Sequence, residues 1–298
     1  MSIMSSVLYG IMKIIRFRES NDRAFLAEVK TGIHRDKRAK PFPTQKLVKR
    51  CIIETKTVLG NHVFTINPRS GKNIGTILYL HGGAYLRRAA KQHWDFVYSL
   101  VYDYGYQVVF PDYPVAPEKN YRDVFAMIEE LYHHLAEKSV PGSIILMGDS
   151  AGAGLALAFA QKLREEQDHQ PKHIVLLSPW LDVSMSNPEI PNAEKKDPFL
   201  MARGLKAAGE AYAKGISTKN PWVSPIYGDL HNLGQLTLFT GTYDLLNPDA
   251  RKFKGICDQQ GIKINYFEYP KMIHDWMIFG FPESKKVLQE INQIIMGN

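Results

Sequence analysis

The sequence predicts an α/β fold: a mostly parallel central sheet with helices on both faces and a helical cap over one edge. Three observations predict it. From residue 76 onward, short apolar runs alternate with stretches of helical spacing, as expected of strand–helix–strand units. Glycine, serine, aspartate and histidine signals collect just after several of those runs, at the carboxyl ends where open α/β sheets gather functional groups. The alternation breaks between Asp182 and Trp222, a stretch rich in proline, lysine and asparagine that reads as an insertion above that edge.

Taken in order, residues 1–50 read as a helical extension that contributes to the cap, and residues 51–298 as a catalytic domain with a cap insertion at about 183–222. An antiparallel hairpin is expected over 52–58 and 62–66, turning at Gly60-Asn61. A strand ends at Leu80, a helix runs around 94–104, a strand covers 107–110, and a helix covers about 123–137. A strand at 143–147 leads to a buried helix through 153–160, and another strand covers 174–177. Within the insertion, 201–212 has helical spacing. Strands at 236–240 and 264–269 complete the sheet. At 298 residues, α/β chains of this kind often form one domain.

The chemistry lies in the segments directly after the strands. Gly148-Asp149-Ser150-Ala151-Gly152 sits between a strand and a helix. Glycines on either side of Ser150 remove β-carbons that would clash in a tight turn, so the serine can stand out as a nucleophile. Taken alone, the pentapeptide would equally suit a small-residue turn with a solvated serine. His81-Gly82-Gly83-Ala84-Tyr85 follows the strand ending at Leu80. Its two glycines let successive amides converge, so Gly82, Gly83 and Ala151 are the expected donors to a developing oxyanion. An ordinary Gly-Gly turn is the bland alternative. His81 reads as a loop-shaping hydrogen-bonder. Asp244 follows one late strand and His274 another, giving an acid to orient a base and a base to activate Ser150. Asp249 is a competing carboxylate, but its place after Asn247-Pro248 suggests a helix start.

On these segments, together with Pro111-Asp112-Tyr113-Pro114-Val115-Ala116-Pro117-Glu118 and Ser178-Pro179-Trp180-Leu181-Asp182, the chain resembles the α/β-hydrolases. Within them it is similar to the esterase/lipase group of hormone-sensitive lipase type, from about residue 51 onward. The order Ser…Asp…His is the one that fold uses. The chain departs from the family pattern at Ala84, where many members have a third glycine, at Pro114, where many have arginine, and at Asp275, where glycine is usual. The last two leave substrate preference open. The resemblance implies a serine carboxylesterase with Ser150, Asp244 and His274 as triad and no cofactor or metal. Such an enzyme would act through an acyl-enzyme. A roof formed by the insertion and the N-terminal helix, by limiting depth, leads to the expectation of short- to medium-chain esters. Small-amide hydrolysis of formamidase type uses the same triad. A ligand-binding receptor on this fold would have lost the serine or histidine. Tyr85, Trp180, Leu200, Met201, Tyr212, Trp222 and Met272 are candidates to line the substrate pocket, with plain core packing the alternative for each.

Composition narrows the partners. The first fifty residues carry twelve Lys/Arg and four Asp/Glu, a balance of +8, whereas the whole chain is +7. The remainder is therefore near neutral, and the basic character belongs to the extension. Its Ile3, Met4, Val7, Leu8, Ile11, Met12 and Ile15 are spaced for one face of a helix. This pattern has two readings: a cap helix packed over the site, or peripheral contact with an anionic membrane surface. The first is preferred, because amphipathic helices usually bury that face within the fold. No motif supports nucleic-acid binding, and no apolar run approaches a membrane span. Cys51 and Cys257 are far apart in sequence and suit a reducing cytoplasm. The neighbouring His133 and His134 would point about 100° apart on a helix and suit no shared ion. The oligomeric state is left open.

Overall fold

The computed structural model describes residues 1–32, 39–71, 73–138 and 143–297. The helical expectation for 33–38 of the extension lies outside them. Three helices come first: α1 (Ile3–Ile14), α2 (Phe17–Thr31) and α3 (Gln45–Arg50). The hairpin β1 (Cys51–Val58) and β2 (Asn61–Pro68) comes next, then β3 (Thr76–Leu80), α4 (Lys91–Tyr98), β4 (Gln107–Pro111) and α5 (Tyr121–Lys138). β5 (Ile144–Asp149) runs directly into α6 (Ser150–Glu165), which returns to β6 (His173–Leu177). The insertion holds α7 (Ile190–Glu194) and α8 (Ala202–Ala213). β7 (Gln235–Gly241), α9 (Asn247–Gln259), β8 (Ile264–Tyr269) and α10 (Pro282–Met296) complete the chain.

The strands form one sheet in the order β1-β2-β4-β3-β5-β6-β7-β8. β1 pairs antiparallel with β2 and β2 with β4, and every other pairing is parallel. The connection direction reverses between β3 and β5. The loops after those two strands therefore diverge and leave a crevice at the carboxyl edge, where ligands bind in such sheets. The glycine loop and Ser150 lie at this switch point.

Two apolar layers sandwich the sheet, and strand alternation sorts residues between them. Leu78, Leu80, Leu146, Leu176 and Leu238 face the layer under α5, α6 and α9, whereas Ile77, Tyr79, Met147, Val175 and Phe239 face the layer under α4 and α10. α6 is buried almost along its whole length because small residues let it approach the sheet. A β-carbon on Gly154 would stand 2.2 Å from the Trp180 carbonyl oxygen.

Two boundaries differ from expectation. The hairpin turns at Leu59-Gly60, not Gly60-Asn61: Val58 pairs with Asn61. Both turn residues have positive φ (45° and 80°), which the tight turn matching strand twist requires. The helix expected around 94–104 is α4 followed by a wider π turn over Ser99–Asp103. Among the described residues, no helix is long and apolar enough to cross a membrane.

Candidate active site

Ser150 occupies the sharp corner between β5 and α6 with φ +52°, a left-handed conformation costly for a residue with a side chain. Backbone closeness holds it there. A β-carbon on Gly152 would meet the Leu80 carbonyl oxygen at 2.0 Å, and one on Gly148 would meet Gly152 at 2.5 Å. The glycines of the pentapeptide are therefore sites where β3, β5 and α6 touch backbone to backbone. Asp149 fastens the same corner from below. Its carboxylate accepts from the Tyr79 hydroxyl at 2.7 Å and from His93 Nε2 at 3.1 Å. His93 Nδ1 accepts from the Ala90 amide, which leaves the Nε2 proton for Asp149. These bonds and the neighbouring imidazole hold the Asp149 carboxyl below its usual range, although burial pushes the other way.

Ser150 Oγ donates to His274 Nε2 at 2.9 Å. The opposite ring nitrogen, Nδ1, lies 3.0 and 3.1 Å from the two oxygens of Asp244. All three side chains are buried. Asp244 in turn accepts from the Leu246 amide, so the acid is fixed at the end of β7. Asp249 lies in the first turn of α9 and bonds Asn187 instead of the imidazole. Burial works against protonation of His274, but the Asp244 and Asp275 carboxylates outweigh it and hold its pKa well above the ordinary value.

The glycine loop lies beside the serine. A β-carbon on Gly82 would stand 3.0 Å from Ser150 Cβ, and Gly83 has φ +130°. The amides of Gly82, Gly83 and Ala151 donate to no acceptor among the described residues. They therefore retain donor capacity beside Oγ, and Ala151 adds the positive end of α6. His81 Nδ1 donates to the Gly82 carbonyl at 2.7 Å, and the ring stacks on Tyr113 at 4.3 Å. Burial and nearby His93 push its pKa down to about 3, so it is a neutral loop-former. Ala84 and Tyr85 both adopt positive φ (55° and 58°), which accounts for the preference for glycine at the first of them.

A cavity of about 370 Å³ opens onto Ser150 and His274. Its walls include Phe199, Leu200 and Leu205 of the insertion, Ile278 and Phe279 after the histidine, and Leu8, Met12, Phe17 and Phe25 of α1 and α2. Of the seven residues proposed from sequence as pocket lining, only Leu200 is in this wall. Tyr85 and Tyr212 stack on each other at 3.7 Å with Trp180 beside them, forming a buried prop beneath the insertion. Met272 packs in the α4–α10 layer, Trp222 stacks on Phe125 away from the site, and Met201 precedes α8 outside the wall. Pro114 is buried and does not reach the cavity, whereas Asp275 does.

Polar pairs with no signal in the sequence anchor the N-terminal helices here. Arg87, just after the glycine loop, donates from Nε to Glu28 at 2.9 Å and from Nη1 to Asn21 at 2.7 Å, with its guanidinium 4.0 Å over Phe25. Asp22 of α2 accepts from the Gly204 amide at 2.7 Å and so caps α8 from another helix. Asp197 accepts from the amides of Phe199, Leu200 and Leu245, tying the cavity wall to the Asp244 turn. Burial and the adjacent Asp244 push its carboxyl up to about 7. Asp275 stands 3.1 Å from His274 Nε2, on the side facing Ser150.

A sheet of this order, with serine, histidine and aspartate in one hydrogen-bonded row at its carboxyl edge, defines the class of α/β hydrolases. The α/β hydrolase fold family model matches residues 77–278, and the chain belongs to that family. An esterase of Acinetobacter venetianus is 31% identical over 219 residues, 72% of each chain. An acetyl-hydrolase of Streptomyces hygroscopicus is 30% identical over 217 residues, 72% of this chain and 73% of its own. The crystal structure of a Staphylococcus aureus protein described as a candidate esterase matches with TM-score 0.81 and 28% identity, covering 92% of both chains. An esterase of the bacterial hormone-sensitive lipase family shares the fold, with TM-score 0.82 over 99% of this chain and 98% of its own at 24% identity.

Proposed function

We propose that this chain is a serine carboxylesterase acting on short- to medium-chain carboxylic esters. Membership in the family and the relatives' activities support the carboxylesterase class. The single observation that carries the catalytic reading is the row Ser150 Oγ–His274 Nε2–Asp244, built on a serine held at positive φ. In this reading His274 takes the Ser150 proton as Oγ attacks the ester carbonyl. Asp244 holds the tautomer and stabilises the imidazolium. The amides of Gly82, Gly83 and Ala151 receive the oxyanion. His274 returns the proton to the leaving alcohol, and water then hydrolyses the acyl-enzyme by the same steps in reverse.

The preference for shorter acyl groups is supported by cavity size. About 370 Å³ is at the small end for ligand sites, which run from ~300 to ~1,000 Å³. Phe25, Phe199 and Phe279 supply bulky aromatic wall to this small space. A reducing, cytoplasmic setting is supported by two buried, free cysteines. The test is a panel of p-nitrophenyl esters of graded acyl length beside the matching anilide and formamide. Turnover should peak at short to medium esters. A preference for the amides, or a rate that climbs steadily with long acyl chains, would overturn the proposal.

A further inference from the structure

The apolar face of α1 is mostly turned away from the protein. Ser5 and Met12 are buried and Leu8 is half-buried, but Ile3, Met4, Val7, Ile11, Ile14 and Ile15 are exposed, from 48% for Ile11 to 86% for Ile3. At about 100° per residue these six lie within an arc of roughly 120°, one continuous stripe along the helix. Among the described residues, seven of the fifteen exposed large apolar side chains fall in the first fifteen positions, so this is a patch and not scatter. The sequence expectation that the face packs over the site therefore holds for Leu8 and Met12, and in part for Ile11 and Ile15, which line the cavity while staying exposed.

Two features identify an occupant. Ile11 and Ile15 belong both to the exposed stripe and to the cavity wall, so the patch runs to the mouth of the site. Its C-terminal end is rimmed by cations. Lys13 reaches the Lys195 carbonyl at 2.9 Å, which brings exposed Lys195 and Lys196 alongside, and the Arg16 side chain is largely exposed. α1 contains no acidic residue, and the nearby Glu19 is engaged by Arg16 and Arg18. An apolar stripe with a basic border fits an anionic lipid surface, where side chains enter the acyl boundary and lysines remain at headgroup level.

We propose that α1 docks the enzyme on anionic lipid surfaces, with Ile3, Val7, Ile11 and Ile14 immersed and the cavity mouth turned toward the surface. Ester substrates dissolved in the lipid then reach Ser150 along Ile11 and Ile15 without crossing bulk water. The docking itself does not depend on the esterase reading, and the deciding readout of its test is vesicle binding, with turnover only a control.

The test is co-sedimentation of the full-length protein with phosphatidylcholine vesicles, with and without about one third phosphatidylserine. Wild type should pellet with the anionic vesicles at low salt, at least about tenfold less with neutral ones, and return to the supernatant at high salt. The triple variant Ile3→Ser, Val7→Ser, Ile14→Ser alters only residues outside the cavity wall. It should lose vesicle binding by at least about tenfold while keeping wild-type melting and soluble-ester kinetics. Wild type that stays in the supernatant with anionic vesicles would overturn the proposal, as would a triple variant that still binds. A solution dimer that the triple substitution dissociates would also overturn it, by assigning the stripe to a second copy.

Discussion

Replacing Asp275 by asparagine tests how the site sets its own pH range. The Asp275 carboxylate is 3.1 Å from His274 Nε2, the atom that accepts the Ser150 proton in the proposed mechanism. The charged groups around the imidazole are Asp244 on Nδ1, Asp275 on Nε2, Asp197 behind Asp244, and Asp149 beyond Asp275. Burial, chiefly, pushes the Asp275 carboxyl up to about 6, so above that pH it is an anion facing Nε2. It then stabilises the imidazolium, and the raised His274 pKa moves the acid limb of kcat/KM to higher pH, because only the neutral ring can act as base. At 3.1 Å and an effective dielectric of about 20, the ion–ion attraction is on the order of 5 kcal/mol. Losing even a quarter of that, about 1.4 kcal/mol, raises the neutral fraction about tenfold on the acid limb. The assay is kcat/KM for a short p-nitrophenyl ester across about pH 5–9, read at a pH-independent wavelength. Asp275→Asn should shift the acid limb to lower pH, and Asp249→Asn should leave it in place. An acid limb that stays put in Asp275→Asn, or moves to higher pH, refutes the reasoning.

Three further outcomes are expected from the same geometry. Arg87→Met leaves the Glu28 carboxylate buried without its cation and should cost about 3–5 kcal/mol, lowering the melting temperature by on the order of 10 °C. An unchanged melting curve would contradict the anchoring role of that pair. Phe199→Ala removes an aromatic from the cavity wall and should raise kcat/KM for longer acyl esters relative to acetyl, measured on the graded panel. Asp244→Asn should lower kcat by on the order of 10³–10⁴-fold by allowing the wrong imidazole tautomer, whereas Asp249→Asn should stay within a few-fold of wild type.

The parts of the site legible in sequence are those carried by short segments whose residue types have one physical use. Gly148 to Gly152 could be read because glycine at the points of backbone contact leaves a recognisable spacing. Asp244 and His274 could be read because they come directly after apolar strands. The cavity was not legible, because its walls come from α1, α2, the insertion and the loop after His274, which meet only in three dimensions. Large aromatics were poor guides: Tyr85, Trp180 and Tyr212 fill the space under the insertion instead of lining the site. Phe199 carries no signal in sequence beyond its place two residues after Asp197, whose carboxylate accepts the amides that fix that turn. The α1 stripe was visible as periodicity, but periodicity cannot say which side of a helix faces the protein. The sequence assigns Asp149 no role within the pentapeptide, and only the structure connects it to Tyr79 and His93.

The central claim is that Ser150 is the nucleophile of an acyl-transfer row with His274 and Asp244. A fluorophosphonate probe, with the labelled peptide identified by mass spectrometry, tests it most directly, because phosphonylation needs an activated serine and donors for its oxygen. Wild type should take up one equivalent, on the peptide containing Ser150, with loss of esterase activity in step. Ser150→Ala should remain folded, take up none, and turn over esters on the order of 10⁴-fold or more slowly. A stoichiometric adduct on any other residue, or ester turnover near wild type in a folded Ser150→Ala protein, would contradict the account.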